Sequence, residues 1–235
     1  MINKENIANI IKENSPVCVD SRCLKKLSAS AEFLWEESQK YNLTALKTEE
    51  DIALLHYVDS LTLFDGALPL GKEIIDVGCG AGFPALVIAA YDETCHVTAL
   101  DSTKKKTDFV ALCAQKAGIT NITPLCARAE ELDKTRKFDI AVSRGVARLN
   151  VLTELCLPAV KVGGLFIAMK GDKGEEEAGE AMGAISICGG KLAEIRSVNI
   201  PKVQHRHTLI VIEKVKPTPD IYPRQYSKII KKPLK

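Results

Sequence analysis

The chain lacks any uninterrupted apolar stretch near the roughly 18 residues that a membrane-spanning helix needs, so no membrane segment is expected. It also lacks the pattern of a secretory leader. Met1 to Ser15 alternates charged and polar residues with isolated isoleucines, and the protein is expected in the cytosol. No C-x-x-C pair occurs: the eight cysteines are scattered, mostly inside apolar runs, which predicts reduced thiols packed as small hydrophobes. Of the four histidines, His205 and His207 would share a face in a strand, but no cysteine or carboxylate stands near them at ligand spacing. No metal site is expected. Internal repeats and low-complexity tracts are absent as well.

A strong excess of one charge is also missing, the net charge being only +2, so its distribution carries more information than its sum. From Lys214 to Lys235 seven basic residues face the single acid Asp220, giving that segment +6 and leaving −4 for everything before it. A basic tail on a mildly acidic body fits an edge that contacts phosphates.

What is present is enough apolar residue, 46% of 235 positions, for one sizeable core. Leu24, Leu27, Ala31, Leu34 and Trp35 recur at helical spacing behind Asp20 or Ser21 and predict an amphipathic helix over 21–40. Thr48 with Asp51 three residues on resembles a capping box and opens a second helix through Ile52, Leu55 and Val58 toward Leu61. From residue 73 the pattern changes to strands alternating with helices. Strands are expected at 74–77, 97–100, 122–125, 138–143, 165–169, 194–198 and 208–213, with helices following the first glycine loop to Ala90 and over 104–117, 151–160 and 174–187. This alternation predicts an α/β fold, a doubly wound, mostly parallel seven-stranded sheet with helices on both faces. The expected organisation is a helical extension (1–70), a core (71–213) and a basic tail (214–235).

The glycine loop after the first strand discriminates between ligands. A dinucleotide fingerprint requires G-x-G-x-x-G, whereas Gly78, Gly80 and Gly82 fall at G-x-G-x-G, the wrong register for a pyrophosphate cradle. Asp76 stands near the strand end, suited to a cationic ammonium or sulfonium beside the loop. Asp101 closes the next strand nineteen residues after Gly82, where an acid can accept hydrogen bonds from both hydroxyls of a ribose. Gly80 belongs to the same turn, and Ala129 and Glu130, just after the third strand, can reach the adenine edge. These features point to S-adenosyl-L-methionine, in a Rossmann-like methyltransferase of class I, rather than to a nicotinamide cofactor.

Together with the flanking segments Tyr41-Asn42-Leu43-Thr44, His56 with Asp59-Ser60-Leu61, Phe83-Pro84, Asp101-Ser102, Arg128-Ala129-Glu130, Ser143-Arg144, Lys170-Gly171 and Tyr222-Pro223-Arg224, this pattern closely resembles the ribosomal RNA small subunit methyltransferase G family. The resemblance runs from about Tyr41 through nearly the whole remaining chain. It departs from the family pattern at Leu55, Ala85, Lys106, Gly145 and the segment after Arg224. The resemblance implies methyl transfer to N7 of a guanine in 16S rRNA, with naked RNA or the small ribosomal subunit as partner. It implies Gly78, Phe83, Ala129, Glu130 and Arg148 as cofactor contacts, with Asp101 on the ribose.

Guanine N7 offers an in-plane lone pair and no hydrogen, so its methylation requires no general base, and positioning becomes the enzyme's main task. Arg144, after the fourth strand, is the candidate for positioning the base, because ligands collect at strand carboxyl ends. His56 is a candidate to stack on or hydrogen-bond a base, and Lys105, Lys170, Arg206 and Arg224 are candidate RNA contacts. The chain is expected to act as a monomer. A methyltransferase of another substrate and a non-enzymatic RNA-binding module are the competing readings; the second would be expected to lose the loop glycines or Asp101.

Overall fold

The computed structural model describes residues 2–40, 43–204 and 206–235; Met1, Tyr41, Asn42 and His205 lie outside the described residues. The strands are β1 (Glu73–Val77), β2 (His96–Asp101), β3 (Ile122–Cys126), β4 (Phe138–Arg144), β5 (Val160–Lys170), β6 (Gly190–Val198) and β7 (His207–Lys214). They form the expected seven-stranded sheet, in the order β3-β2-β1-β4-β5-β7-β6. All pairings from β3 to β5 are parallel, while β7 runs antiparallel to both β5 and β6. Strand order reverses between β1 and β4, and a crevice therefore opens at the carboxyl ends of these strands.

Burial on both faces explains why the central strands read as continuous apolar runs. Ile74, Val97, Ala99, Ile140 and Val142 point into one core, and their neighbours Ile75, Val77, Leu100 and Ala141 point into the other. The first core is covered by α1 (Lys4–Asn14), α2 (Ser21–Ser38), α5 (Ala85–Tyr91) and α6 (Lys104–Ala117). The second is covered by α7 (Leu149–Cys156), α8 (Gly174–Glu180), α9 (Met182–Ile187) and α10 (Tyr226–Lys231). Between α2 and β1 a helical stretch runs through α3 (Glu49–Ile52), a π-helical segment (Ala53–Val58), α4 (Asp59–Leu61) and a 3-10 turn (Thr62–Phe64).

The expected amino-terminal helices begin with α1, while several later boundaries are corrected. The amino-terminal segment forms α1: Asn3 caps it by accepting from the Glu5 and Asn6 amides, and the isolated isoleucines Ile7 and Ile11, one turn apart, are fully buried. The helix expected over 151–160 ends at Cys156, because Pro158 cannot continue it. Val160 then opens β5 well before the expected start, and the Gly163-Gly164 pair that disguises this strand sits where a side chain on Gly164 would strike the Asp139 carbonyl. The helix expected over 174–187 is two helices that meet at Ala181, and β6 starts at Gly190.

The segment beyond residue 213 is not a free basic tail. Lys214 is buried, and α10 packs Ile229 into the second core. All eight cysteines are free, and six of them are buried. Among the described residues no helix is long and apolar enough to cross a membrane.

Candidate active site

At the carboxyl end of β1 the chain turns through Gly78, Gly80 and Gly82, all in the left-handed region, with φ of 80°, 57° and 90°. Only glycine adopts this run without strain. A side chain at Gly78 would also lie 2.4 Å from the Val146 Cγ2 atom, and one at Gly82 equally close to Leu86. The loop therefore presents bare backbone to a cavity of about 350 Å³ whose walls include Gly78, Asp101, Ala129, Glu130, Val146 and Tyr226. Asp101 holds the loop in place: its Oδ2 accepts from the Gly80 amide at 3.1 Å and its Oδ1 from the Thr103 amide at 2.9 Å. Each oxygen retains acceptor capacity on the cavity side, and Lys106 stands 3.6 Å from Oδ2.

Asp76 lies beneath this loop and does not line the cavity. It is fully buried, with Oδ2 accepting from the Ala85 amide at 3.0 Å. Its Oδ1 is, among the described residues, the single buried side-chain nitrogen or oxygen without a hydrogen-bond partner. Burial pushes the carboxyl up to about 7.

A second cleft, of about 510 Å³, opens on the other side of Gly145, which lines both spaces. Here side chains distant in sequence interlock. Arg144 donates to the Leu55 carbonyl at 2.7 Å, to Asp59 Oδ2 at 2.8 Å and to His56 Nδ1 at 3.0 Å. Since Nδ1 accepts, the imidazole proton sits on Nε2, which donates to Thr44 Oγ1 at 2.9 Å. Burial, followed by the neighbouring Arg144, lowers His56 to about 3, so the ring is neutral. It stacks on Phe83 at 4.4 Å, and the Arg144 guanidinium lies over the same ring at 5.4 Å.

The other Asp59 oxygen accepts from His207 Nδ1 at 2.9 Å. Burial disfavours charge on Asp59, but His207 and Arg144 outweigh it and hold the carboxyl below its ordinary value. The same hydrogen bond raises His207 above 6.5.

The remaining expected contacts are spread more widely. Phe83 lies under His56 rather than on the first cavity. Arg148 pairs with Glu180 on the surface and does not line that cavity. Lys170 borders the second cleft, but its ammonium is taken by the Ala147 carbonyl and by Glu177, both at 2.8 Å. Arg206 is half exposed and bound to Glu175 and Ser197. Lys105 borders an apolar groove beside Phe33 and Phe109. Arg224 is committed inward, donating from its backbone and guanidinium to the fully buried Glu154 at 2.6–2.9 Å.

Tyr226 and Val146 line the first cavity together with Lys106, which the sequence suggests only as a phosphate contact, and Asp59 and His207 complete the second network; sequence reasoning assigns no role in the site to Tyr226, Val146, Asp59 or His207. The tyrosine arrives through the return of α10, which no motif announces. The sequence argues against a metal site at His207 and offers no other role for it. Among the described residues, no three His, Cys, Asp or Glu side chains are placed to hold a metal ion.

A family model described as rRNA small subunit methyltransferase G matches residues 23–209. A Ribosomal RNA small subunit methyltransferase G of Clostridium botulinum (strain Alaska E43 / Type E3) is 42% identical over 208 residues, covering 86% of this chain and 87% of the relative. One from Deinococcus radiodurans is 45% identical over 193 residues, covering 80% and 76%. Among solved structures, a 16S rRNA (adenine(1408)-N(1))-methyltransferase from Catenulisporales acidiphilia superposes with a TM-score of 0.54 at 15% identity, covering 64% of this chain and 88% of that one, a likeness of fold.

Proposed function

Because the chain belongs to the rRNA small subunit methyltransferase G family, we propose that it transfers a methyl group from S-adenosylmethionine to N7 of a guanine in 16S ribosomal RNA, in the bacterial cytoplasm. The observation that carries this reading is the pair of spaces joined at Gly145, one walled by the glycine loop and Asp101, the other by His56, Arg144 and Asp59.

The residues present fit S-adenosylmethionine. Gly78 exposes backbone without a side chain on the cavity wall, and Asp101 offers a nearly buried carboxylate with acceptor capacity for ribose hydroxyls. Asp76, whose Oδ1 has no hydrogen-bond partner, sits buried behind the loop and supports its geometry through the Ala85 amide rather than facing the cavity. When bound, S-adenosylmethionine supplies an electrophilic methyl on a sulfonium. Gly78, Ala129 and Glu130 would hold it by backbone contacts, with Gly80 acting through its amide bond to Asp101, while Tyr226 and Val146 would exclude water.

The target base would enter the cleft between Thr44, His56 and Arg144. Both His56 nitrogens are engaged and Arg144 stays charged, so neither residue is set up to take a proton. Guanine N7 needs none removed. Their contribution is rigid orientation, which for well-aligned reactants supplies about 7–11 kcal/mol of a barrier.

The test is methyl transfer from radiolabelled S-adenosylmethionine to 30S particles and to stripped 16S rRNA from cells lacking this enzyme, with the product nucleoside identified by mass spectrometry. The expected product is 7-methylguanosine in 16S rRNA. Tight cofactor binding with no transfer to either substrate would overturn the acceptor assignment.

A further inference from the structure

At the end of the sheet opposite the two clefts, a cavity of about 490 Å³ lies between the starts of β4 and β5 and the end of β7. Four lysines border it: Lys134, Lys137, Lys161 and Lys214. Lys214 is 2% exposed, and its ammonium donates to the Leu157 carbonyl at 2.7 Å, the Cys188 carbonyl at 3.0 Å and the Thr218 hydroxyl. Lys137 donates to the Pro158 carbonyl, and Lys134 to the backbone carbonyl of Asp220. The partners of these three ammoniums, among the described residues, are neutral oxygens rather than carboxylates.

The acids nearby cancel only part of the charge, Asp220 and Asp133 both favouring the charged form of Lys137. Asp139 pairs with Lys161 at 2.7 Å. The Asp133 carboxylate is turned to the Thr135 amide and hydroxyl. Asp220, which lines the cavity, is the remaining acid. Burial and the neighbouring Lys137 bring Lys214 down to about 8, and burial with the neighbouring Lys134 lowers Lys137 in turn. The lysines thus repel one another around an open space, and a buried charge without a counter-ion is costly.

We infer that this cavity is a phosphate site that takes a backbone phosphate of the RNA substrate. The RNA source rests on the function proposed above; the anion chemistry does not. Six residue steps along β4 separate Phe138, beside the site, from Arg144 in the base cleft, about 20 Å of strand. An RNA that contacts both ends is gripped across the depth of the sheet, so the phosphate site adds affinity without touching the reacting atoms.

The experiment compares wild type with the double variant Lys134→Ala/Lys137→Ala and with its Lys134→Arg/Lys137→Arg counterpart. Both substituted positions are exposed. In the alanine variant, KM for 30S particles or 16S rRNA should rise several-fold and the logarithmic salt dependence of RNA binding should flatten by about one to two. The kcat and the calorimetric affinity for S-adenosylmethionine should stay at wild-type values, and the arginine variant should recover KM. In parallel, inorganic phosphate is titrated into lysine-labelled protein and the side-chain signals are followed by NMR. The Lys214 signal should move toward the protonated form in wild type, and not in the alanine variant.

A phosphate response with unaltered KM and salt dependence would overturn the RNA source and leave a site for free phosphate. Absence of any phosphate response in the wild-type lysine signals would overturn the site itself. If wild type transfers no methyl group to either RNA substrate, the proposed function fails, and the titration still reads the cavity on its own.

Discussion

The two spaces that meet at Gly145 are built from opposite materials. The first is backbone: three left-handed glycines and a carboxylate that bonds back to the loop, with close packing against Val146 leaving no room for a side chain at Gly78. The second is a lattice of charged and aromatic side chains, in which Asp59 is shared by Arg144 and His207 while Arg144 also holds His56. A backbone cradle is shaped by local turn chemistry, whereas a side-chain lattice stands or falls on partners far apart in the chain. Damage should therefore spread through the second and remain local in the first.

The largest expected effect breaks the lattice at its centre. Asp59→Ala leaves a part-buried Arg144 and His207 without their counter-ion, and the loss of stability should be about 3–5 kcal/mol in urea unfolding. A loss of only about 0–1 kcal/mol, the range of surface pairs, would mean that the network is not a unit. On the cradle side, Asp101→Ala should weaken S-adenosylmethionine binding by about 1–3 kcal/mol in calorimetry, with a smaller loss of stability than Asp59→Ala because two loop amides lose their acceptor. Unchanged affinity in the folded variant would remove Asp101 from the cofactor's contacts.

The smallest effect sharpens the contrast through pH. His207 is raised above 6.5 by the hydrogen bond to Asp59, so its stabilising contribution is full below 6.5 and is lost as pH rises through the higher folded-state value. The stability difference between wild type and His207→Gln should therefore shrink across that window. A difference independent of pH would mean that His207 contributes through packing alone.

These two constructions also explain what the sequence discloses. The glycine register, Asp101 and the Ala129-Glu130 pair are legible because turn geometry and strand-end position are local, and strand alternation exposes a parallel sheet buried on both faces. The charged lattice joins residues 44, 56, 59, 144 and 207, and nothing in their spacing announces that they meet. Arg224 reads as a phosphate contact in a basic segment, yet its partner Glu154 looks like an ordinary polar position in an apolar helix until the fold shows it fully buried. Lys214 is hidden in the same way, its charge visible and its burial not. The strand start at Val160 is obscured by two glycines, one of which the close approach of Asp139 requires.

The π-helical segment Ala53–Val58 sets the angular register of the second cleft. It is one residue wider per hydrogen-bonded loop than an ordinary helix, and it carries Leu55 and His56 just before Asp59, with all three reaching the same guanidinium. Winding these same six residues as an ordinary α-helix would instead rotate the chain on its carboxyl side by about 100° relative to the chain on its amino side. Composition and net charge would be untouched by such a change. Asp59 would nevertheless swing off Arg144 and His207, so the cleft is encoded in the winding of the backbone as much as in the identity of its side chains.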